Sequence, residues 1–146
     1  MLKITTRSRY AVRILICLGS KGGKRPVQRN EIEDSEGVSI DYAVQILADL
    51  RHAGFVESLR GKEGGYFLVV DPDELTVLDV VKAIEGGIML VRCEGEKCTR
   101  ISSCVVKPVW ERAAEAASRE LANVTIGELI AESLKLKKEQ SPMYEI

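Results

Sequence analysis

The sequence predicts a mostly α-helical protein with a small β-hairpin wing, a winged helix-turn-helix domain followed by a long helix that invites a second one. Three observations carry this. Two short helical patterns, 27–36 and 40–53, are separated by a few residues that include Gly37, the spacing of a helix-turn-helix. Two β-rich runs, 55–59 and 66–70, flank the loop Arg60-Gly61-Lys62-Glu63-Gly64-Gly65. Residues 105–122 carry one narrow apolar stripe of helical period with small alanines along it.

At 146 residues, 45% hydrophobic and 29% charged, the chain can bury a core and has an ordinary globular composition. Three of its four cysteines cluster at Cys93, Cys98 and Cys104, while Cys17 stands alone in an apolar helical run. That is not the pattern of a secreted disulfide framework. The basic start is followed by an apolar run broken by Arg13 and lacking a small-residue cleavage site. No apolar run approaches the roughly 20 residues that span a bilayer. A cytoplasmic protein with no membrane partner is expected. The net charge of −1 hides a split, since residues 1–66 hold 11 Lys/Arg against 8 Asp/Glu and the remainder 10 against 14. A basic front half permits phosphate binding by one face.

In chain order, Thr5 or Thr6 caps a first helix whose apolar residues Tyr10, Ala11, Ile14, Leu15 and Leu18 share one face, ending near Gly19-Ser20-Lys21-Gly22-Gly23. Lys3, Arg7, Arg9 and Arg13 decorate its start. The second helix ends at Gly37, and Ser39 caps the third, which Gly54 closes. Ile40, Ala43, Ile46, Leu47 and Leu50 form its inward face, leaving Ser39, Asp41, Tyr42, Gln45 and Asp49 outward. After the hairpin, Asp71-Pro72-Asp73-Glu74 breaks the strand, and Thr76 caps a fourth helix over 77–85 that stops at Gly86-Gly87. An apolar connection leads into the cysteine loop and the long helix. Thr125 with Glu128 is a capping box for a last helix over 126–134. The expected divisions are 1–86 for the winged domain, 87–104 for the cysteine loop, 105–134 for the long helix and its packing helix, and 135–146 for a flexible tail.

A recognition helix sets its N-terminal and outward side chains against base edges. Serine and tyrosine can serve phosphates or bases, and glutamine suits adenine. On the helix alone Ser39, Tyr42 and Gln45 read first as solvated surface and only second as DNA contacts, and Asp41 and Asp49 oppose a polyanion. The wing is more telling, because Arg60-Gly61-Lys62 at a hairpin tip places a cation where a minor groove or phosphate would lie. The cysteine spacings, C-x4-C and C-x5-C, are awkward for zinc and acceptable for a loop around an iron–sulfur cluster, with three thiolates one ligand short. A regulatory disulfide stands between them, so spacing ranks iron–sulfur, disulfide and zinc in that order. His52, the only histidine, ends the third helix and offers no base to a thiol, so no catalytic residue is assigned. Cys17 and Trp110 are expected to be packing residues.

Arg9-Tyr10-Ala11-Val12, Gly37 to Tyr42, Gln45, Leu50 to Val56, the Arg60-Gly61 to Gly64-Gly65-Tyr66 wing, the three cysteines, Trp110 and Thr125 to Leu129 together resemble a known family. It is the winged-helix cluster-sensing regulators typified by IscR and the nitric-oxide sensor NsrR, and the resemblance covers nearly all of residues 3–134. It implies a homodimer whose dimerisation helices, 105–122, cross between subunits and set two recognition helices on a palindromic double-stranded operator. Ser39, Tyr42 and Gln45 would face DNA and the Arg60 wing would enter the minor groove, with Lys3, Arg9 and Gly61 completing the DNA-binding set. Cys93, Cys98 and Cys104 would hold an iron–sulfur cluster, 2Fe-2S in preference to 4Fe-4S, whose status biases the two DNA-binding heads. The implied function is transcription regulation, most simply repression, of genes for iron–sulfur cluster biogenesis or related stress. A thiol-disulfide or nitric-oxide sensing repressor and a winged-helix protein-interaction module are the alternatives. Lys107 stands where IscR-like proteins have a histidine ligand, and Arg9 where NsrR-like proteins have a partner carboxylate. Glu94, Glu96, Ser8 or an exogenous thiol are then candidate fourth ligands. Val44 replaces a glutamate that IscR-like proteins use to discriminate operators.

Overall fold

The protein is described by a computed structural model over residues 4–23, 25–91, 93 and 98–141. α1 (Thr6–Cys17) starts at Thr5, whose hydroxyl oxygen accepts from the Ser8 amide at 3.2 Å. Its stripe of Ala11, Ile14 and Leu15 is fully buried. Beyond Cys17 the helix widens into a π-helical turn, Leu18–Gly22, and stops inside the expected Gly19–Gly23 stretch. The wider turn sets Gly19 against the last helix, where a Cβ would lie 2.1 Å from Ile130 Cδ1, so glycine is what permits the approach.

α2 (Arg29–Glu36) begins two residues later than the pattern suggested, because Val27 is taken by the wing. Its amide and carbonyl exchange hydrogen bonds with Tyr66 at 2.8 and 2.9 Å. The Gln28 amide donates to Glu31 Oε2 at 2.9 Å, and Arg25, followed by that amide, holds the Glu31 carboxyl below the ordinary carboxylate range. Gly37 ends the helix at φ 63°, a left-handed position suited to glycine. α3 (Ile40–His52) is capped by Ser39 and buries Ala43, Ile46, Leu47 and Leu50, as its pattern predicts.

β1 (Val56–Leu59) and β2 (Gly65–Leu68) pair antiparallel, with Val56 opposite Leu68 and Leu59 opposite Gly65. α4 (Val77–Glu85) matches its expected bounds, with Thr76 and Asp79 capping each other's main chain and Gly86 closing it. α5 (Lys107–Ala122) starts two residues late, its first turn set by Pro108. α6 (Ile126–Gln140) repeats the reciprocal cap with Thr125 and Glu128. The two caps lie side by side: Val77 donates to the Val124 carbonyl at 2.9 Å and Ile126 to that of Leu75 at 2.8 Å.

Residues of α1, α2, α3, β1, α4 and α6 share one apolar core that includes Ile14, Ile32, Leu47, Val56, Val80 and Ile126. Two expectations change. α6 continues to Gln140 instead of ending near Leu134, because 135–140 are strong helix formers and the two lysines of the last turn complement the helix dipole. Trp110 is not interior to the chain but 44% exposed, on a 16-residue helix with no buried residue at all.

Candidate DNA-reading face and cysteine loop

α3 presents its first turns outward. The Ser39 hydroxyl oxygen accepts from the Tyr42 amide at 3.3 Å, which leaves its own proton free to donate. Gln45 is exposed, Tyr42 is half-buried, and Asp41 is exposed. Asp49 is less adverse to a polyanion than its charge suggested, because Arg7 of α1 donates to Asp49 Oδ2 from Nε at 2.8 Å and also from Nη2. Arg9 is exposed on α1, and Arg60 and Gly61 are exposed at the wing turn. Lys3 lies outside the described residues. The turn of the wing is braced by Gln28, whose Nε2 donates to the Lys62 carbonyl at 3.1 Å. Gln28 was not singled out from sequence, since only the fold brings it 34 residues along the chain to the hairpin.

Glu85, the last residue of α4, ties the first turn of α1 to the segment leading into the cysteines. It accepts from the Thr5 amide at 3.1 Å, the Thr5 hydroxyl at 2.8 Å and the fully buried Ser8 hydroxyl. Burial alone pushes its carboxyl up, but the donors from Ser8 and Thr5 together outweigh that and hold it below its ordinary value of 4.5. A depressed folded-state pKa adds stability above the ordinary carboxylate value, and that stability is lost as the pH falls through the folded value. Glu85→Gln is therefore expected to destabilise the protein by about 1 kcal/mol near neutrality, discounted for an exposed carboxylate. The difference from wild type should shrink in thermal melts taken below the carboxylate range.

Cys93 is exposed, Cys98 and Cys104 are half-buried, and none of the three forms a disulfide. Cys17 is a core residue whose thiol burial pushes up. The donor chemistry of three free thiols on one loop suits iron. Among the described residues, however, no group of three His, Cys, Asp or Glu side chains is gathered closely enough to hold a metal ion. Of the candidate fourth ligands, Glu94 and Glu96 lie outside the described residues. Ser8 is withdrawn, since its hydroxyl is buried and committed to Glu85. Lys107 is paired with Glu111 at 3.3 Å.

The family model described as an iron-dependent transcriptional regulator matches residues 4–132. The chain belongs to the Rrf2 family. Protein rrf2 of Nitratidesulfovibrio vulgaris is 34% identical over 134 residues, covering 90% of this chain and 89% of that one. The solved structure of T. potens IscR superposes with a TM-score of 0.76 at 29% identity, covering 99% of this chain and 97% of that one. CymR, the global cysteine regulator of B. subtilis, gives 0.74 at 32% identity, covering 90% and 98%. This Rrf2-family chain is thus a transcriptional regulator and not an enzyme, with the winged fold its sequence predicts. Among the described residues no helix is long and apolar enough to cross a membrane.

Proposed function

We propose that this Rrf2-family regulator is a cytoplasmic homodimeric repressor whose hold on a palindromic operator is switched by Cys93, Cys98 and Cys104, through an iron–sulfur cluster that the three thiolates hold. The observation that carries the reading is where these unpaired thiols lie. They stand between α4, whose last residue is hydrogen-bonded to the first turn of α1, and α5, none of whose residues is buried. Two copies joined along α5 would set two α3 helices at a fixed separation, the geometry an inverted repeat requires. Ser39, Tyr42, Gln45, Arg60, Gly61, Arg9 and Lys3 are the assigned DNA contacts, and genes for cluster assembly or related stress are the targets. A bound cluster, 2Fe-2S in preference to 4Fe-4S, supplies an oxidant-sensitive bridge between the thiolates. The thiolates' part is to hold the loop in one arrangement. Their release frees the α4–α5 junction to shift the two heads.

A second reading, a thiol switch without a cluster, is favoured by the spread of the cysteines and by the likeness to a cysteine regulator. Isolation without oxygen separates the two. The cluster reading expects coloured protein that each of Cys93→Ala, Cys98→Ala and Cys104→Ala bleaches while the dimer persists. A wild type that stays colourless after anaerobic reconstitution, and whose DNA affinity responds to a thiol oxidant, would establish the thiol switch instead. On the DNA side, Arg60→Ala should weaken binding in a salt series and flatten the salt slope by about one unit.

A further inference from the structure

Tyr42 lies in the first turn of α3, and its ring is held from behind. The ring of Tyr10 on α1 meets it at right angles, with centroids 6.1 Å apart and planes at 87°. The guanidinium of Arg13, one turn further along α1, lies over the Tyr10 ring at 5.1 Å from its centroid. Arg13 is fixed in turn by Glu36, the last residue of α2, donating from Nε to Oε2 at 2.8 Å and from Nη2 to the main-chain oxygen at 3.0 Å. One line of contacts thus joins the end of α2, the middle of α1 and the start of α3.

We propose that Tyr10 and Arg13 are positioning residues for sequence reading, the Arg13–Tyr10 stack fixing the side chain of Tyr42 in the orientation from which α3 meets the operator. The inference rests on Tyr42 being a DNA contact. A surface tyrosine otherwise samples several staggered χ1 wells, and selecting one upon binding subtracts from affinity. A perpendicular aromatic neighbour, itself capped by a cation, selects that well beforehand. Non-specific binding rests on phosphate charge and needs no particular tyrosine rotamer. The stack therefore acts on specific affinity and leaves non-specific affinity alone.

The test uses the full chain and two duplexes: the inverted repeat that wild type selects from a randomised library, and a scrambled duplex of the same composition. Tyr10→Leu should weaken the selected duplex by about three- to tenfold and leave the scrambled one unchanged. Tyr10→Phe, which keeps the ring, should restore wild-type discrimination. Arg13→Gln, at a half-exposed side chain, should reduce it by about two- to threefold. In a Tyr42→Ala background, Tyr10→Leu should add nothing.

Equal losses on both duplexes, or an undiminished loss in the Tyr42→Ala background, would overturn the proposal in favour of a general packing role. A loss that persists in Tyr10→Phe would overturn it in favour of a hydroxyl–phosphate contact. Should Tyr42→Ala bind the selected duplex as wild type does, the reading of α3 itself fails and takes this inference with it. If Tyr42→Ala loses affinity and Tyr10→Leu does not, only the inference fails.

Discussion

Trp110→Glu is expected to convert the proposed homodimer into a folded monomer that has lost most of its operator affinity. The expectation follows from α5, which has no buried residue over 16 positions and presents Val109 at 42% and Trp110 at 44% exposure, with Val105 just ahead of it at 88%. Met89, on the connection before the cysteines, is 67% exposed and lines the same groove as Trp110 and Ala114. A helix of this length is marginal in water unless an apolar face is covered. The surface is also larger in apolar side chains than the scattered exposure of a monomer explains. A second copy that covers it would bury the indole at the centre, where a carboxylate would be desolvated without a partner. The core formed by α1, α2, α3, β1, α4 and α6 does not use Trp110, so cooperative unfolding should survive. A dimer binds two half-sites through one tethered event, so its loss should reduce operator affinity by roughly 10²- to 10⁴-fold. Sedimentation of the variant checks the first half of the prediction and a titration on the selected duplex the second. A variant that remains dimeric with wild-type affinity would place the subunit contact elsewhere.

What the sequence made legible was local. The Thr76 and Thr125 caps, the left-handed stop at Gly37 and the buried face of α3 each depend on residues within a few positions of one another. They were read correctly for that reason. The exposure of Gln45, Arg60 and Gly61 was likewise legible from periodicity and the hairpin. What was not legible depends on residues far apart in the chain. Val27 looked helical because nothing local shows its pairing with Tyr66. The π-helical turn sets Gly19 against Ile130, 111 positions away, and nothing near Gly19 in the sequence shows that partner. Asp49 read as a charge adverse to DNA until Arg7 was found beside it, and Ser8 read as a spare donor until Glu85 claimed its hydroxyl. Trp110 was expected to pack, as a member of the apolar stripe of the long helix. Its exposure follows from α5 resting against α4 and the 88–91 connection along one side only, with none of its residues buried.

Gly65→Ala is expected to dislodge the wing, and the comparison with Gly61→Ala shows why space, beyond backbone preference, decides the outcome. Both glycines have positive φ, 117° at Gly61 and 151° at Gly65, so each substitution carries conformational strain of about 1–3 kcal/mol. At Gly61 a Cβ would meet nothing within 4 Å, and the strain is the whole effect. At Gly65 the Cβ would lie 2.3 Å from the Val27 carbonyl oxygen and 2.6 Å from its carbon. These are main-chain atoms held by the Val27–Tyr66 pair, so they can yield only by giving up those hydrogen bonds. Overpacking against a fixed group adds roughly 1–3 kcal/mol, which places Gly65→Ala at about 2–6 kcal/mol in all. The loss of the bridge would also free β2 from the start of α2, and with it the cation at Arg60 from a defined height above the recognition helix. Denaturant melts should therefore separate the two variants by at least about 1 kcal/mol. Equal stabilities would show that the wing relaxes around an added methyl group and that the bridge to Val27 does not fix its position.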